Sequence, residues 1–198
     1  MLIGLTGKYC AGKNYIAVIL EKHGLPVIDA DKLGYHVLET EKETIFTQFG
    51  SDLRKKDGTL DRRLLGQKVF GKQKKLAALE AIIHPPVNCL IDEWITQIGD
   101  RACVINAALL HKAAVFTRLD RIILVSAPFY TRFLRAWQRD RLSFRQILNR
   151  FASQRNFNSQ YLAINAEIKR VENPGLFGSP KLHKKLESRI DKILEGID

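Results

Sequence analysis

The feature that most constrains the fold of this chain is a glycine-rich segment near its amino terminus. The segment reads Gly7-Lys8-Tyr9-Cys10-Ala11-Gly12-Lys13-Asn14. It matches the phosphate-loop pattern G-x-x-x-x-G-K-[ST] at every position except the last. In such a loop the glycines let the backbone curl, so that successive N–H groups point at a bound anion. The segment therefore predicts a site for the phosphates of a nucleoside triphosphate.

The residues on either side of this loop favour a strand before it and a helix after it. Residues 2–6 form a short apolar run, and residues 14–23 have helical spacing and are followed by Gly24. A helix that begins near Lys13 adds its positive dipole end to the anion site. The alternative is a glycine-rich turn that binds nothing, and the strand–loop–helix order makes that the weaker interpretation.

The last position of the loop departs from the pattern, because Asn14 stands where a Ser or Thr hydroxyl normally binds Mg²⁺. Lys13 is expected to carry its charge to the β- and γ-phosphates. An amide oxygen can coordinate Mg²⁺ or hold one of its waters, but it brings no charge. We therefore expect Asn14 to be the residue on the metal side of the loop, with weakened affinity for the metal.

Charge and cysteine usage narrow the kind of protein. The net charge is +11, from 32 Lys and Arg against 21 Asp and Glu, which suits either a nucleic-acid-binding face or a cleft for small polyphosphates. No helix-turn-helix, zinc-finger or RNA-binding motif is present. The three cysteines lack metal-ligand spacing and fit a reducing compartment. We expect small-molecule partners and no nucleic-acid partner.

Length and hydropathy predict a single globular domain in the cytoplasm. The chain has 198 residues, of which 45% are hydrophobic, and it contains no apolar run of membrane-spanning length. The first predicted strand begins almost at Met1, which leaves no room for a signal peptide. We expect no membrane partner, and a monomer is the favoured oligomeric state.

Short β-branched runs alternate with helical segments, which predicts an α/β fold with a parallel sheet between helices. The predicted strands are residues 2–6, 26–29, 102–106 and 121–126, with a weaker fifth at 168–171. About 70 residues of helical pattern separate the second strand from the third, more than a crossover needs. This insertion is predicted to be a substrate-binding lobe, and Pro85-Pro86 is expected to end one of its helices. Residues 179–196 are predicted to form a C-terminal helix.

Two carboxylates follow the second predicted strand, where ligands bind in open parallel sheets. If the chain stays extended, Asp29 and Asp31 point to the same side. A carboxylate here suits phosphoryl transfer to an alcohol, because it can orient and deprotonate the hydroxyl. The alternative is that Asp31 caps the next helix. The sequence leaves both open.

Several segments together resemble the dephospho-CoA kinase family, and they occur in the family's order over nearly the whole chain. They are Ile3-Gly4-Leu5-Thr6-Gly7, Pro26-Val27-Ile28-Asp29-Ala30-Asp31, Asp57-Gly58-Thr59-Leu60-Asp61-Arg62, Val69-Phe70, Leu79-Glu80-Ala81-Ile82-Ile83-His84-Pro85, Leu109-Leu110, Asp120-Arg121-Ile122-Ile123-Leu124-Val125, Arg139-Asp140 and Gln154. The resemblance implies a P-loop kinase core with a five-stranded parallel sheet, a helical insertion and an arginine-rich lid. It implies transfer of the ATP γ-phosphoryl group to the ribose 3′-hydroxyl of dephospho-CoA, with ATP and Mg²⁺ as cofactors.

The resemblance also implies roles for individual residues. Asp31 would accept the hydroxyl proton, and Arg139 on the lid would neutralise charge on the transferring group. The implied ATP-binding residues are Gly7, Lys8, Tyr9, Cys10, Ala11, Gly12, Lys13, Asn14, Tyr15, Arg135 and Asn173. The implied acceptor-binding residues are Asp29, Arg62 and His84, although His84 is equally compatible with a structural histidine. The implied organisation is one domain over residues 1–198, with a core at 1–30, 100–130 and 165–198, an insertion at 31–99 and a lid at 131–164.

The chain departs from the family's pattern at several positions near the expected site. Asn106 replaces a carboxylate after the third strand, Lys112 reverses the charge of a Glu, and Gln160 replaces a Lys of the lid. These departures keep open a catalytically weakened homologue that binds ATP or CoA, and a nucleoside or nucleotide kinase is a further alternative. Cys10 lies in the loop, where backbone amides are expected to lower the pKa of its thiol. A small loop residue without a chemical role is the plainer interpretation of Cys10.

Overall fold

The computed structural model describes residues 1–161, 165–175 and 180–195, and for residues 180–183 it describes the backbone alone. The chain divides into two compact units. The first consists of Met1–Ile28 and Ile98–Asp198, and the second is Asp29–Gln97. The second unit lies within the predicted insertion at 31–99, apart from its first two residues.

A five-stranded sheet forms the centre of the first unit, and all five predicted strands are confirmed. The strands are β1 (Leu2–Gly7), β2 (Val27–Asp29), β3 (Cys103–Asn106), β4 (Arg121–Ser126) and β5 (Glu167–Glu172), in the order β2-β3-β1-β4-β5. β1 pairs in parallel with β3 and β4, and β4 pairs in parallel with β5. The predicted parallel α/β fold is therefore confirmed, with β1 at its centre.

Eight α-helices lie within the described residues. They are α1 (Lys13–Lys22), α2 (Ala30–Thr40), α3 (Lys42–Phe49), α4 (Arg62–Val69), α5 (Gln73–Ile98), α6 (Phe129–Asp140), α7 (Phe144–Ala152) and α8 (Pro180–Leu194). The helix predicted after the phosphate loop is thus confirmed, as is the C-terminal helix, although residues 179 and 196 of that prediction lie outside the described residues. None of the helices described is both long enough and apolar enough to cross a membrane.

The core of the first unit explains why these segments fold as they do. Ile3 and Leu5 of β1 are fully buried, and Ile16 and Leu20 of α1 pack in the same cluster. In α8 the predicted apolar stripe is a core face, since Leu186 and Ile190 are buried there; the side chain of Leu182 lies outside the described residues. This packing fixes the position of β1 and α1, and with it the loop between them.

The second unit has an apolar core of its own. Ile45 and Phe46 of α3, Leu65 and Val69 of α4 and the connecting Leu53 and Leu60 are buried together. Asp61 caps α4 by accepting a hydrogen bond from the Leu64 amide at 2.9 Å. Such a core is what a helical subdomain needs in order to keep its shape.

One helix boundary was predicted wrongly. Pro85-Pro86 does not end a helix, because α5 continues through both prolines to Ile98. Each proline removes one backbone hydrogen bond and crowds the carbonyl four residues earlier, which disfavours a helix without forbidding it. Leu76, Leu79 and Ile82 precede the prolines on α5 and pack against the second unit's core, and Ile91 is buried beyond them. Tertiary packing on both sides of the prolines stabilises the continuous helix.

Candidate active site

The phosphate loop occupies the turn between β1 and α1, as the sequence predicts. β1 ends at Gly7, α1 begins at Lys13, and the Ala11 amide donates to the Lys8 carbonyl at 2.9 Å inside the loop. Gly12 has φ 90°, and a Cβ atom there would overlap the side chain of Asn173. A Cβ at Gly7 would lie 2.7 Å from the Val125 carbonyl oxygen. Space therefore requires glycine at both positions of the motif, and at Gly12 the backbone conformation requires it as well.

A chain of side-chain hydrogen bonds joins Lys13 of the loop to two asparagines. Lys13 Nζ donates to Asn106 Oδ1 at 2.7 Å, and Asn106 Nδ2 donates to Asn14 Oδ1 at 3.3 Å. Asn106 is buried at the end of β3, whereas Asn14 is exposed at the start of α1. Two of the positions at which the sequence departs from the family's pattern are therefore in direct contact.

Two residues far along the sequence support the outer side of the loop. Asn173 is buried after β5, and its Nδ2 donates to the Ala11 carbonyl at 3.2 Å. Arg135 on α6 donates to the carbonyls of Cys10 and Ala11 at 3.3 and 3.0 Å, and to Asn173 Oδ1 at 3.1 Å. It also donates to the Gly175 carbonyl. The structure thus brings both sequence-predicted residues to the loop, where they bind its backbone.

Helices α6 and α7 contact the loop through Tyr9. The Tyr9 carbonyl accepts from Arg132 Nε at 2.8 Å, and the Tyr9 amide donates to Gln154 Oε1 at 2.7 Å. The Tyr9 hydroxyl donates to Asp140 Oδ2. The guanidinium of Arg139 lies 5.4 Å from the centre of the Tyr9 ring. The predicted lid arginine therefore lies against the phosphate loop.

The acid–base properties of this cluster follow from its hydrogen bonds. The pKa of Asp140 is lowered, first because it accepts a hydrogen bond from Arg139. The pKa of Arg139 is raised by the same hydrogen bond. Burial raises the pKa of Tyr9, and its hydrogen bond to Asp140 adds to the effect. At neutral pH the cluster therefore holds a carboxylate, a guanidinium and a neutral phenol.

Sequence reasoning missed the contribution of Arg132 and of the Tyr9 side chain. Arg132 is buried on α6 and serves the loop backbone directly. The spacing of Arg132, Arg135 and Arg139 at intervals of three and four residues places them on one face of a helix, and this pattern could have indicated a shared target.

The expected lowering of the Cys10 thiol pKa was wrong, whereas the interpretation of Cys10 as a small loop residue is not contradicted. The pKa of its thiol is raised, mainly because burial disfavours the thiolate, although the nearby Arg139 acts in the opposite direction. Cys10 has φ 60°, so the residue serves as a turn in the loop's backbone.

The carboxylates after β2 adopt an arrangement that differs from both sequence interpretations. Asp29 is the last residue of β2 and caps α2, where its Oδ1 accepts from the Lys32 amide at 3.1 Å. Asp31 lies in the first turn of α2 and is exposed. The chain is helical from Ala30, so the extended alternation of the two side chains does not apply. The capping residue is Asp29, because its backbone is still extended.

The remaining predicted acceptor residues lie in the second unit. The Arg62 guanidinium lies 5.1 Å from the ring centre of Tyr35 and donates to the Tyr35 carbonyl at 3.5 Å. His84 is half-buried within α5. Arg62 and Tyr35 together present a cation and an aromatic ring, which suit an anionic group and an apolar one.

A buried polar cluster lies at the end of β1, and it was not predicted from the sequence. Tyr161 is fully buried, and its hydroxyl lies 3.3 Å from Thr6 Oγ1 and 3.2 Å from His111 Nδ1. Burial lowers the pKa of His111. This cluster ties the end of β1 to the segment after β3, where the chain carries Lys112.

A parallel sheet with a phosphate loop after its central strand, and arginines set against that loop, defines the class of P-loop phosphotransferases. A family model described as dephospho-CoA kinase matches residues 1–169. The dephospho-CoA kinase of Treponema denticola is 33% identical, over 97% of this chain and 90% of the relative. The chain belongs to the dephospho-CoA kinase family.

Solved structures agree with this assignment. A crystal structure of a Thermus thermophilus protein has a TM-score of 0.79 and 30% identity, and covers 98% of this chain and 97% of its own. Dephospho-CoA kinase from Campylobacter jejuni has a TM-score of 0.62 at 24% identity, with 100% of this chain and 97% of that chain covered. The second comparison shows the shared fold.

Proposed function

We propose that this chain transfers the γ-phosphoryl group of ATP to the ribose 3′-hydroxyl of dephospho-CoA, which gives coenzyme A and ADP. The observation that carries the proposal is the position of Lys13 and Arg139 at one phosphate loop, in a chain that belongs to the dephospho-CoA kinase family. Family membership favours dephospho-CoA as the acceptor over a nucleoside or nucleotide.

The loop binds the triphosphate in this proposal. Backbone N–H groups between Gly7 and Asn14, together with the positive end of α1, suit the α- and β-phosphates. Lys13 reaches the β- and γ-phosphates, and its bond to Asn106 holds the ammonium group in place. Arg139 neutralises charge that develops on the transferring group. Lys8, Tyr15, Arg135 and Asn173 complete the ATP site, the last two by fixing the loop backbone.

Asp31 is the proposed catalytic base. Its carboxylate accepts the proton of the 3′-hydroxyl while that oxygen attacks the γ-phosphorus and ADP leaves. Support comes from its position directly after β2, since ligands of open parallel sheets bind beyond the carboxyl ends of the strands. Its exposure leaves the carboxylate accessible to a substrate.

The second unit, Asp29–Gln97, is the proposed binding lobe for the acceptor. Arg62 is suited to a phosphate of dephospho-CoA, and the adjacent Tyr35 ring offers an apolar surface. Asp29 and His84 are assigned to the same lobe. The separate apolar core of this unit supports the assignment, because a lobe that binds a large acceptor needs stability of its own.

Mg²⁺ is the proposed metal, and the donor set at the loop fits it in part. Asn14 offers an amide oxygen, an acceptable Mg²⁺ ligand that carries no charge. That oxygen already accepts a hydrogen bond from Asn106, whose own oxygen accepts from Lys13. Mg²⁺ usually keeps several waters and takes most of its charge from the nucleotide, and when bound it neutralises charge on the triphosphate. Asn14 is therefore proposed to hold Mg²⁺ directly through Oδ1 or indirectly through a water bound to the metal.

An assay of coenzyme A formation with ATP, Mg²⁺ and dephospho-CoA tests the proposal. We expect turnover by the wild type and a loss of about 10²- to 10⁴-fold in kcat for Asp31→Asn, because the base is removed while the shape is kept. Asp100→Asn, in an exposed turn after α5, is the matched control and should retain the wild-type rate.

Two outcomes would contradict different parts of the proposal. A wild-type protein that binds both ligands and forms no coenzyme A would show that the chain is a binding homologue. An Asp31→Asn variant with full activity would leave the function standing and remove Asp31 as the base.

A further inference from the structure

Tyr9 is the point at which the phosphate loop is joined to helices α6 and α7. Its carbonyl accepts from Arg132 of α6 at 2.8 Å, and its amide donates at 2.7 Å to Gln154, which lies two residues beyond the end of α7. Its ring packs edge-on against Phe151, with 5.8 Å between ring centres. The backbone of Tyr9 is thus held at its amide and at its carbonyl. The packing of the ring against Phe151 restricts the direction of the hydroxyl.

The hydroxyl of Tyr9 meets a carboxylate that serves two arginines. Asp140 accepts from Arg139 Nε at 2.6 Å and Nη2 at 3.1 Å, and from Arg150 Nη1 at 3.2 Å. The Tyr9 hydroxyl donates to Asp140 and accepts from Arg150 at 3.2 Å. Only 17% of the Asp140 side chain is exposed. The orientation of Asp140 therefore depends on Tyr9.

Arg139 is held by Asp140 and by the Tyr9 ring, whose centre lies 5.4 Å from the guanidinium. Its side chain is 62% exposed, and both of its hydrogen bonds go to Asp140. A salt bridge between two neighbouring residues at the surface is weak when nothing else holds either partner. Arg150 and the hydroxyl of Tyr9 both hold Asp140, and the hydroxyl is the group that connects Asp140 to the phosphate loop.

We propose that Tyr9 is a positioning residue for the transfer reaction, which holds Asp140 and through it sets Arg139 against the phosphate loop. The inference rests on the proposed role of Arg139 in the kinase reaction. Tyr9 has this effect when α6 and α7 are in contact with the loop. It contributes little to nucleotide affinity, because its role does not require contact between its hydroxyl and the nucleotide. Tyr9 thereby couples phosphate binding at the loop to the position of α6 and α7.

Kinetics of Tyr9→Phe test this inference, because phenylalanine keeps the ring and removes only the hydroxyl. We expect kcat to fall about tenfold, the effect of losing one hydrogen bond to a charged group, while KM for ATP stays within about twofold. Tyr130→Phe on α6 is the matched control, since Tyr130 is 65% exposed. A Tyr9→Phe enzyme with wild-type kcat, or with a raised KM for ATP and unchanged kcat, would overturn the inference.

A double-mutant cycle separates positioning from general damage. If Tyr9 acts through Asp140, the Tyr9→Phe/Asp140→Asn double variant should be no slower than the slower single variant. Effects of the two substitutions that multiply would show that they act independently, and would contradict the proposed linkage.

Limited trypsin digestion of the protein without ligand provides a readout that does not need turnover. The connection between α6 and α7 contains Arg141, which is exposed. We expect Tyr9→Phe to be cleaved there about tenfold faster than the wild type and Tyr130→Phe, since cleavage follows the population of the opened segment. Equal cleavage rates would refute the positioning role of Tyr9, whatever the outcome of the coenzyme A assay. The proposal for Tyr9 and the proposed kinase activity can therefore be refuted independently.

Discussion

At the scale of single residues, the least expected finding is the contact between Asn14 and Asn106. In P-loop NTPases a loop hydroxyl and a carboxylate usually hold Mg²⁺, and here asparagines stand at the two positions. The Asn106 amide donates to Asn14 and accepts from Lys13. A carboxylate at position 106 would bind the ammonium group of Lys13 as an ion pair, whereas the neutral amide oxygen of Asn106 binds it more weakly. The two substitutions therefore form one rearrangement of the site.

We predict that Asn14→Ser lowers the Mg²⁺ concentration needed for half-maximal rate by about tenfold, a typical effect of changing groups around a metal. The serine hydroxyl restores the usual metal ligand. The substitution also removes Asn14 Oδ1, which accepts a hydrogen bond from Asn106. The measurement is a Mg²⁺ titration of the initial rate at fixed ATP, with Asn158→Ser, at the exposed start of a short 3₁₀ helix, as the control. Indistinguishable titrations of wild type and Asn14→Ser would show that Asn14 has no role toward the metal.

The loop residues follow from the sequence pattern itself, whereas Arg135 and Asn173 were predicted only through the resemblance to a family. The positions of Gly7, Gly12 and Lys13 follow from a local pattern whose chemistry needs those residue types. The carbonyl contacts of Arg135 and the buried position of Asn173 depend on α6 and β5 arriving beside the loop. No local pattern carries that information, because the partners are more than 120 residues apart in the chain.

At the scale of elements, the strands were predictable and one long helix was not. β-branched, apolar runs between polar segments favour buried parallel strands, and each was found within one residue or so of its predicted bounds. α5 runs through two prolines, against local preference, because residues before and after them are buried. Local rules fail where packing outweighs backbone preference.

We predict that Pro85→Ala raises the free energy of unfolding by about 1–2 kcal/mol, since alanine restores a helical hydrogen bond and removes the clash of the proline ring. Pro85 is exposed, so little packing is lost. Urea denaturation followed by circular dichroism is the measurement, and Pro26→Ala, outside any helix, is the control. A lower stability of Pro85→Ala would mean that α5 needs the bend that proline produces.

At the scale of the whole molecule, the net charge of +11 raises the question of whether anions bind to a site or to the surface in general. The arginines of α6 and α7 that face the loop are engaged with its backbone or with Asp140. This concentration of donors at one loop favours a defined site for polyphosphate over diffuse attraction.

ATP with Mg²⁺, at about 100 times its dissociation constant, should raise the melting temperature by roughly 5–10 °C, the linkage expected of a ligand that binds only the folded chain. Differential scanning fluorimetry measures the shift. Lys13→Ala should lose most of it, whereas Lys74→Ala, on the exposed start of α5, should keep it. The same shift in wild type and Lys13→Ala would indicate binding to the basic surface at large.

The hydrogen bonds of Arg135 have a consequence for the order in which the protein matures. One guanidinium joins Cys10 and Ala11 to Asn173 and Gly175, so the first loop to leave the ribosome obtains its final support from almost the last strand. Until β5 has been synthesised and paired, the Ala11 carbonyl lacks the Asn173 amide that donates to it, and Arg135 lacks its acceptors on Asn173 and Gly175. These contacts can therefore support the loop only after β5 has been synthesised.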